Sequence, residues 1–131
     1  MKLQPIGHVK SSLTDRSQAP KQGDEGAPDA WIVFAPEFAR AMTELAAGQD
    51  VLVLTWLDQA DRSVLAVHPR SDPARPETGV FSTRSPDRPN PIGLHRVRIL
   101  AVDGVKVHVA HLEAIDGTPV VDVKPVLGTE R

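Results

Sequence analysis

The residues best suited to chemistry in this chain lie in one proline-rich stretch, residues 79–94, with the sequence GVFSTRSPDRPNPIGL. Three prolines within six residues restrict the backbone φ angles, and Gly93 permits a close approach of the backbone to a ligand. A loop stiffened in this way loses less entropy when it closes on a ligand. Arg84 or Arg88 can then bind a carboxylate or a phosphate through two parallel hydrogen bonds. The stretch favours a rigid site for an anion or a nucleoside, with a purely structural loop as the alternative.

Basic residues cluster in the same part of the chain. Four arginines and His95 lie between Arg84 and Arg98, where the only acid is Asp87. The whole chain carries a net charge of −2, so a nucleic-acid partner would need such a local patch. A solvated loop is the alternative explanation of these charges.

Several kinds of chemistry lack the residues they require. The chain has no cysteine, which excludes disulfides, thiolate nucleophiles and cysteine metal sites. It has no glycine-rich dinucleotide or phosphate-loop motif and no G-x-S-x-G motif. His108 and His111 are three residues apart on a predicted strand and point to opposite faces, and His68 has no partner histidine at ligand spacing. We therefore expect no metal site.

The elements that position these residues are mainly strands. A polar segment without periodicity covers residues 10–29, and Pro36 begins a helix predicted over 37–47, which ends at Gly48. Residues 51–57 form a continuous apolar run, typical of a strand buried on both faces. The other predicted strands are 3–9, 31–34, 63–67 and 79–83.

Two Asp-Gly pairs predict tight turns near the end of the chain. A two-residue turn at Asp103-Gly104 sets Arg96 opposite His111, and a similar turn at Asp116-Gly117 sets Asp122 opposite His111. The resulting polar row either lines the mouth of a site or is a salt-bridge row at a barrel rim. The same register leaves an apolar outer face, formed by Val97, Ile99 and Ala101.

The predicted fold class is all-β, a mainly antiparallel β barrel with one short helix. The 131 residues suffice for a single domain, 1–131, with a core of its own. No apolar run approaches the roughly 20 residues that span a bilayer, and the first residues do not resemble a signal peptide. We therefore expect a cytoplasmic protein with no membrane partner.

Residues 79–94 closely resemble the signature of the TsaA-like family, whose best-known members are tRNA methyltransferases of the TrmO type. The resemblance covers nearly the whole chain, because further elements follow in the family's order: Ile6-Gly7, QAPKQG at 18–23, Ala60-Asp61-Arg62, His68-Pro69-Arg70 and DGTPVVDVKP at 116–125. A loop of this length with ordered flanking motifs is a specific combination.

The resemblance implies a small antiparallel barrel, a homodimer and S-adenosyl-L-methionine as the methyl donor. It also implies methylation of the N6 nitrogen of threonylcarbamoyladenosine beside the anticodon, which makes tRNA the expected partner. Arg88 and Asn90 are expected to bind the substrate. The family's cofactor contacts carry over to Pro20, Lys21, Gln22, Asp58, Gln59, Arg84, Leu94, Ala114, Ile115, Asp116 and Gly117.

Two positions depart from the family pattern. Asp58 stands where we expect histidine, and Lys21 stands where arginine is usual, which keeps the charge but loses the planar fork. The chain ends at Arg131, soon after the closing motif, so we expect it to lack the additional C-terminal domain of longer bacterial members.

Methyl transfer to a ureido-type nitrogen requires a group that accepts the nitrogen's proton. Asp58, His68, His111 and Asp116 are all open candidates for that catalytic role. A methyltransferase of the same fold acting on a small molecule is one alternative function, favoured by the short chain and negative charge. A non-catalytic S-adenosylmethionine-binding domain is another.

Overall fold

A computed structural model of the chain describes residues 1–18, 26–69 and 72–128. Within these residues six strands close into an antiparallel barrel in the order β1-β2-β7-β6-β3-β8, and β4 and β5 form a separate two-stranded sheet. The strands are β1 Gly7–Lys10, β2 Ala30–Phe34, β3 Asp50–Trp56, β4 Ala66–Val67, β5 Thr78–Gly79, β6 Ile92–Asp103, β7 Lys106–Val109 and β8 Pro119–Pro125. Short 3-10 helices cover Arg16–Gln18, Pro36–Met42 and Val80–Ser82. The predicted all-β class is confirmed.

The core fills the barrel through period-two alternation along each strand. In β3, Val51, Val53 and Thr55 point inward and are buried, and the residues between them are half-buried. The expectation that both faces of this strand are fully buried is therefore wrong. In β6, Val97 and Ile99 point into the same core. Aliphatic residues supply most of the packing, as the low aromatic content requires.

Four predicted elements are shorter or differ in type. The helix predicted over 37–47 is the 3-10 helix Pro36–Met42, and the strand predicted over 63–67 is reduced to Ala66–Val67. The strand predicted over 79–83 ends at Gly79. The chain then turns, because both the N–H and the hydroxyl of Thr83 donate to the carbonyl of Val80. The first strand is Gly7–Lys10 instead of 3–9.

The hairpin between β6 and β7 has a different register from the predicted one. Asp103 pairs with Lys106, which places the turn at Gly104-Val105, and Gly104 supplies the positive φ of 59°. A bulge between Ile99 and Ala101 then brings Ile99 opposite Val109. The predicted pairing of Arg96 with His111 is therefore wrong.

The change of register also corrects the predicted faces. Val97 and Ile99, expected on an outer face, belong to the interior, while Leu100 and Val102 are exposed. Asp122 lies opposite Leu54 of β3, so the polar row with His111 does not form. The Asp116-Gly117 turn is present, with Gly117 at a φ of 84°.

Among the described residues, no helix has the length and hydropathy needed to cross a membrane.

Candidate functional site

A cavity of about 970 Å³ opens beside β6 and lies within the size range of small-molecule and cofactor sites. Three loop segments contribute to its wall: residues 57–60 after β3, residues 84–88 of the proline-rich stretch, and residues 110–115 after β7. The barrel thus brings together segments that lie far apart in the sequence, while β6 supplies the floor between them.

The proline-rich stretch is held in place by charged residues on both sides. The Asp87 carboxylate accepts hydrogen bonds from Arg16 Nη2 at 2.5 Å and from the Asp61 N–H at 2.8 Å. Arg62 donates from Nε to the Pro89 carbonyl at 2.7 Å and from Nη2 to Asn90 Oδ1 at 3.0 Å. These contacts fix the loop without using its own arginines.

Arg84 and Arg88 have different surroundings within this loop. Arg88 Nη2 donates to the carbonyl oxygens of Val80 and Thr83, so this guanidinium stabilises the turn that precedes the loop. Arg88 Nε is buried and has no hydrogen-bond partner among the described residues. Arg84 is exposed and lines the cavity. Arg84 is therefore the arginine of the loop whose guanidinium is available to an anionic ligand.

A buried hydrogen-bonded row runs from the barrel interior to the cavity wall. His95 Nε2 lies 2.7 Å from the hydroxyl of Thr55, and His95 Nδ1 lies 2.5 Å from Glu113 Oε1. Thr55 is fully buried, the His95 side chain is 5% exposed, and the Glu113 side chain is 17% exposed. Gly93 leaves the room for this row, since a Cβ built there would lie 2.3 Å from Thr55 Oγ1. The row therefore ends in a carboxylate at the cavity.

His111 has an unusual backbone at the same wall. Its φ is 54°, in the left-handed region that a residue with a Cβ rarely adopts. Its N–H donates to Asp29 Oδ1 at 3.1 Å, and its Nδ1 lies 3.1 Å from the carbonyl oxygen of Ala27. Because a carbonyl only accepts, Nδ1 must be the donor in this contact.

Two further arginines lie on the outer face of β6 at the edge of the cavity. Arg98 Nε and Arg96 Nη2 donate to the two oxygens of Asp50, at 3.0 and 3.3 Å. Hydrogen bonds from Arg98 and then Arg96 lower the pKa of the Asp50 carboxyl below its ordinary value. The cluster holds one more positive than negative charge.

The structure places many of the predicted site residues around this one cavity. Asp58, Gln59, Arg84, Arg88, Leu94, His111, Ala114 and Ile115 all line it. Asp116 and Gly117 form the turn that follows Ile115, and His68 and Asn90 are not among the lining residues. Pro20, Lys21 and Gln22 lie outside the described residues. The binding and catalytic roles of these residues stay predictions.

Sequence reasoning missed His95 and Glu113 as a pair. A signal existed for His95, because Gly93, His95, Val97 and Ile99 share the inward face of β6 and a histidine there needs polar partners. Nothing in the local pattern around Glu113 indicates that it meets His95. Only the closed barrel brings these two residues together.

A second surface combines aromatic and basic side chains on the outer face of β1, β2 and β7. The rings of Trp31 and His108 stack with centroids 4.5 Å apart, and Lys106 Nζ lies 5.4 Å from the Trp31 ring centroid. Lys10 pairs with Trp31 in the strand register. No described carboxylate forms an ion pair with either lysine.

Comparison with known proteins identifies relatives of this chain. The family model described as the tRNA-methyltransferase O N-terminal domain matches residues 8–129. A "Probable S-adenosyl-L-methionine-binding protein" of Methanothermobacter thermautotrophicus is 42% identical over 125 residues, covering 95% of this chain and 89% of that protein. A protein with the same description from Archaeoglobus fulgidus is 42% identical over 129 residues, covering 98% of this chain and 35% of that protein.

The fold is also that of solved structures. The crystal structure of TrmO from Pseudomonas aeruginosa superposes with a TM-score of 0.75 at 27% identity, covering 97% of this chain and 56% of that one. The chain thus spans about a third of the Archaeoglobus relative and just over half of the solved TrmO chain. From the match over residues 8–129 and these relatives, the chain belongs to the family of tRNA-methyltransferase O N-terminal domains.

Proposed function

We propose that this chain binds S-adenosyl-L-methionine in the cavity beside β6 and transfers its methyl group to the N6 nitrogen of threonylcarbamoyladenosine in tRNA. The observation that supports this most directly is the composition of the cavity wall, where apolar, anionic and cationic side chains meet. The names of the relatives, which describe S-adenosyl-L-methionine-binding proteins, support the same cofactor.

The residues present fit this cofactor. A molecule with an adenine ring, ribose hydroxyls, a carboxylate and two cationic groups needs an apolar wall together with side chains of both charges. Leu94, Ala114 and Ile115 supply the apolar surface for adenine. Asp58 and Arg84 supply an acceptor for hydroxyl or ammonium groups and a fork for the carboxylate.

When bound, the cofactor supplies an electrophilic methyl group on a positively charged sulfur. The chain's contribution is to align donor and acceptor and to exclude water, and such positioning can supply about 7–11 kcal/mol of the barrier. The proline-rich loop, which Arg16 and Arg62 hold in place, suits this task because it is already ordered. Of the predicted proton acceptors, Asp58 and His111 line the cavity.

The Trp31–His108–Lys106–Lys10 surface supports tRNA as the partner. Lysines neutralise phosphates, and aromatic rings stack with unpaired bases such as those of an anticodon loop.

We expect the affinity for tRNA to fall steeply as the salt concentration rises. Replacing Lys10 and Lys106 by alanine should reduce the salt slope by about 1 for each lysine. Lys124→Ala, at a lysine that pairs with Asp122 at 3.1 Å, is the matched control and should leave the slope unchanged.

The decisive experiment is methylation of tRNA with purified protein and cofactor, followed by mass spectrometry of the nucleosides. We expect the threonylcarbamoyladenosine to gain one methyl group and tRNA lacking that modification to gain none. Methyl transfer only to a small-molecule fraction would favour the small-molecule methyltransferase. Binding of S-adenosylhomocysteine with no transfer to any acceptor would favour the binding domain.

We also propose that the chain forms a homodimer in which the second copy helps to complete the cavity. Ile92 and Leu94 form an apolar pair on the outer face of β6 beside the cavity, and each is about two-fifths exposed; Leu100 and Val102 are exposed further along the strand, beyond Arg96 and Arg98. Ile92 and Leu94 also line the cavity, so a second copy seated on this pair would contact the ligand site. Light scattering at micromolar concentration should show a dimer. A monomer that binds the cofactor fully would contradict this proposal.

A further inference from the structure

We propose that Glu113, held by His95, accepts the proton that the acceptor nitrogen loses during methyl transfer. The inference rests on the proposed methyltransferase function and adds a catalytic residue that the family resemblance does not supply. Thr55 and His95 act as positioning residues, since neither needs to touch a ligand.

Hydrogen-bonding capacity sets the direction of the bonds in the row for an ionised Glu113 and a neutral His95 ring. An ionised carboxylate only accepts hydrogen bonds, so at the 2.5 Å contact His95 Nδ1 must donate to Glu113. In the neutral ring Nε2 is then an acceptor, and the Thr55 hydroxyl donates to it across 2.7 Å. The carboxylate thereby selects the tautomer with the proton on Nδ1, and the buried hydroxyl satisfies Nε2 of that tautomer.

Glu113 retains acceptor capacity toward the cavity. His95 Nδ1 contacts Oε1, and no hydrogen bond from a described residue reaches Oε2. The side chain is 17% exposed and lines the cavity wall. A carboxylate with one oxygen fixed from behind and the other unused is well placed to receive a proton from a bound molecule.

The other candidate bases near the cavity are more exposed than Glu113. Asp58 and His111 also line the cavity, but both are exposed to solvent. Asp116 is exposed, and its Oδ1 accepts the N–H of Ser11 at 2.9 Å. A half-buried base held by a buried partner keeps its position in the absence of ligand, which is what a preorganised site requires.

The proposed step balances in atoms and charge. The acceptor nitrogen forms a bond to the methyl carbon as the carbon–sulfur bond breaks, and the electron pair of that bond goes to sulfur, which becomes neutral. Glu113 takes the proton from nitrogen and becomes a neutral acid. The proton then leaves to water through the cavity mouth, which returns the carboxylate.

Single-turnover methylation of tRNA provides the kinetic test. Glu113→Gln keeps the shape and an acceptor for His95 Nδ1 but cannot take a proton, so its rate constant should fall about 10²- to 10⁴-fold. Affinity for S-adenosylhomocysteine, measured by calorimetry, should change by less than about threefold, as expected for a role confined to the chemical step. Glu113→Asp should recover part of the rate. Glu37→Gln, on the exposed 3-10 helix Pro36–Met42, is the matched control and should behave as wild type.

The positioning role of Thr55 and His95 can be tested by a measurement that does not depend on turnover. Nitrogen NMR of the His95 ring in the free protein should show the proton on Nδ1. Thr55→Val removes the donor to Nε2 and should shift the Nε2 resonance, while Thr55→Ser should preserve it. His95→Asn keeps an amide that can donate to Glu113, but its shorter side chain no longer joins Glu113 to Thr55. This variant should therefore lower kcat with little change in KM.

The outcomes separate this inference from the proposed function. Wild-type protein that methylates tRNA while Glu113→Gln does so within threefold of its rate overturns the inference alone. A proton on His95 Nε2, or loss of activity in His111→Asn but not in Glu113→Gln, also overturns it. Wild-type protein that transfers no methyl group to tRNA overturns the proposed function and this inference together.

Discussion

Replacing Gly93 by alanine tests how tightly the barrel wall is built around the Thr55–His95–Glu113 row. A Cβ at this position would lie 2.3 Å from Thr55 Oγ1 and 2.7 Å from His95 Nε2. Those atoms cannot simply move aside, because they are buried and hydrogen-bonded to each other. The substitution must either displace the ring or break the Thr55–His95 bond.

Overpacking of this kind costs about 1–3 kcal/mol of unfolding free energy, which for a chain of this length lowers Tm by roughly 4–11 °C. Gly79→Ala is the matched control, since a Cβ there meets nothing within 4 Å and the backbone φ is −58°. That variant should be neutral or slightly stabilised, because alanine reduces the entropy of the unfolded chain.

A double variant shows whether the loss of stability comes from the contact between the new methyl group and Thr55 Oγ1. Thr55→Ala removes the oxygen nearest the new methyl group, so Thr55→Ala combined with Gly93→Ala should lose less stability than the sum of the two single variants. Thermal melts of the four proteins complete the cycle. A drop in Tm below 1 °C for Gly93→Ala, with the His95 ring signals unchanged, would refute the reasoning.

Three further predictions concern charged residues. Arg84→Ala should leave the fold intact and weaken binding of S-adenosylhomocysteine about ten- to a hundredfold, with partial recovery in Arg84→Lys; calorimetry that finds unchanged affinity in the folded variant removes Arg84 from the site. Asp87→Ala removes the oxygen that accepts from Arg16 Nη2 and from the Asp61 N–H, and it should weaken the same binding about three- to tenfold, since the loop must then be ordered on binding. Arg98 and Arg96 lower the pKa of Asp50 in the folded state, so the stability it contributes is present above its ordinary pKa of about 3.9 and is lost as pH falls below it. Melts between about pH 5 and 2 should therefore decline less steeply for Asp50→Asn than for wild type, and parallel curves would contradict this assignment.

The fold class was predictable because period-two patterns and turn residues are local signals. Trp31 to Phe34 and the run after Asp50 both form barrel strands as their composition indicates. The register of the β6–β7 hairpin was not predictable, because the bulge after Ile99 depends on closure of the whole barrel. The bulge inserts one residue into β6. Relative to the prediction, it exchanges the inward and outward faces of the strand and removes the expected Arg96–His111 pairing.

The residues of the candidate site were also predictable only in part. The proline-rich stretch is distinctive in the sequence itself, whereas the segment 114–117 was singled out by the family resemblance alone; of these residues Arg84, Ala114 and Ile115 line the cavity, and their roles stay predictions. His95 and Glu113 are 18 residues apart and belong to different elements, so only their contact in three dimensions shows that they act together. Arg62, whose guanidinium holds the loop and lies 5.2 Å from the Trp56 ring centroid, has the same kind of long-range role.

The left-handed backbone of His111 bears on how this position would evolve. A residue with a Cβ in that conformation costs about 1–2 kcal/mol relative to glycine, while the ring's hydrogen bond to Ala27 returns about 1 kcal/mol. Glycine would keep the backbone bond to Asp29 and lose only the ring. As far as folding is concerned, the two residues are therefore nearly interchangeable, and position 111 is open to neutral drift. Only a contact between the imidazole and a ligand in the cavity would favour histidine over glycine here, and such a contact would be separate from the proton transfer assigned to Glu113.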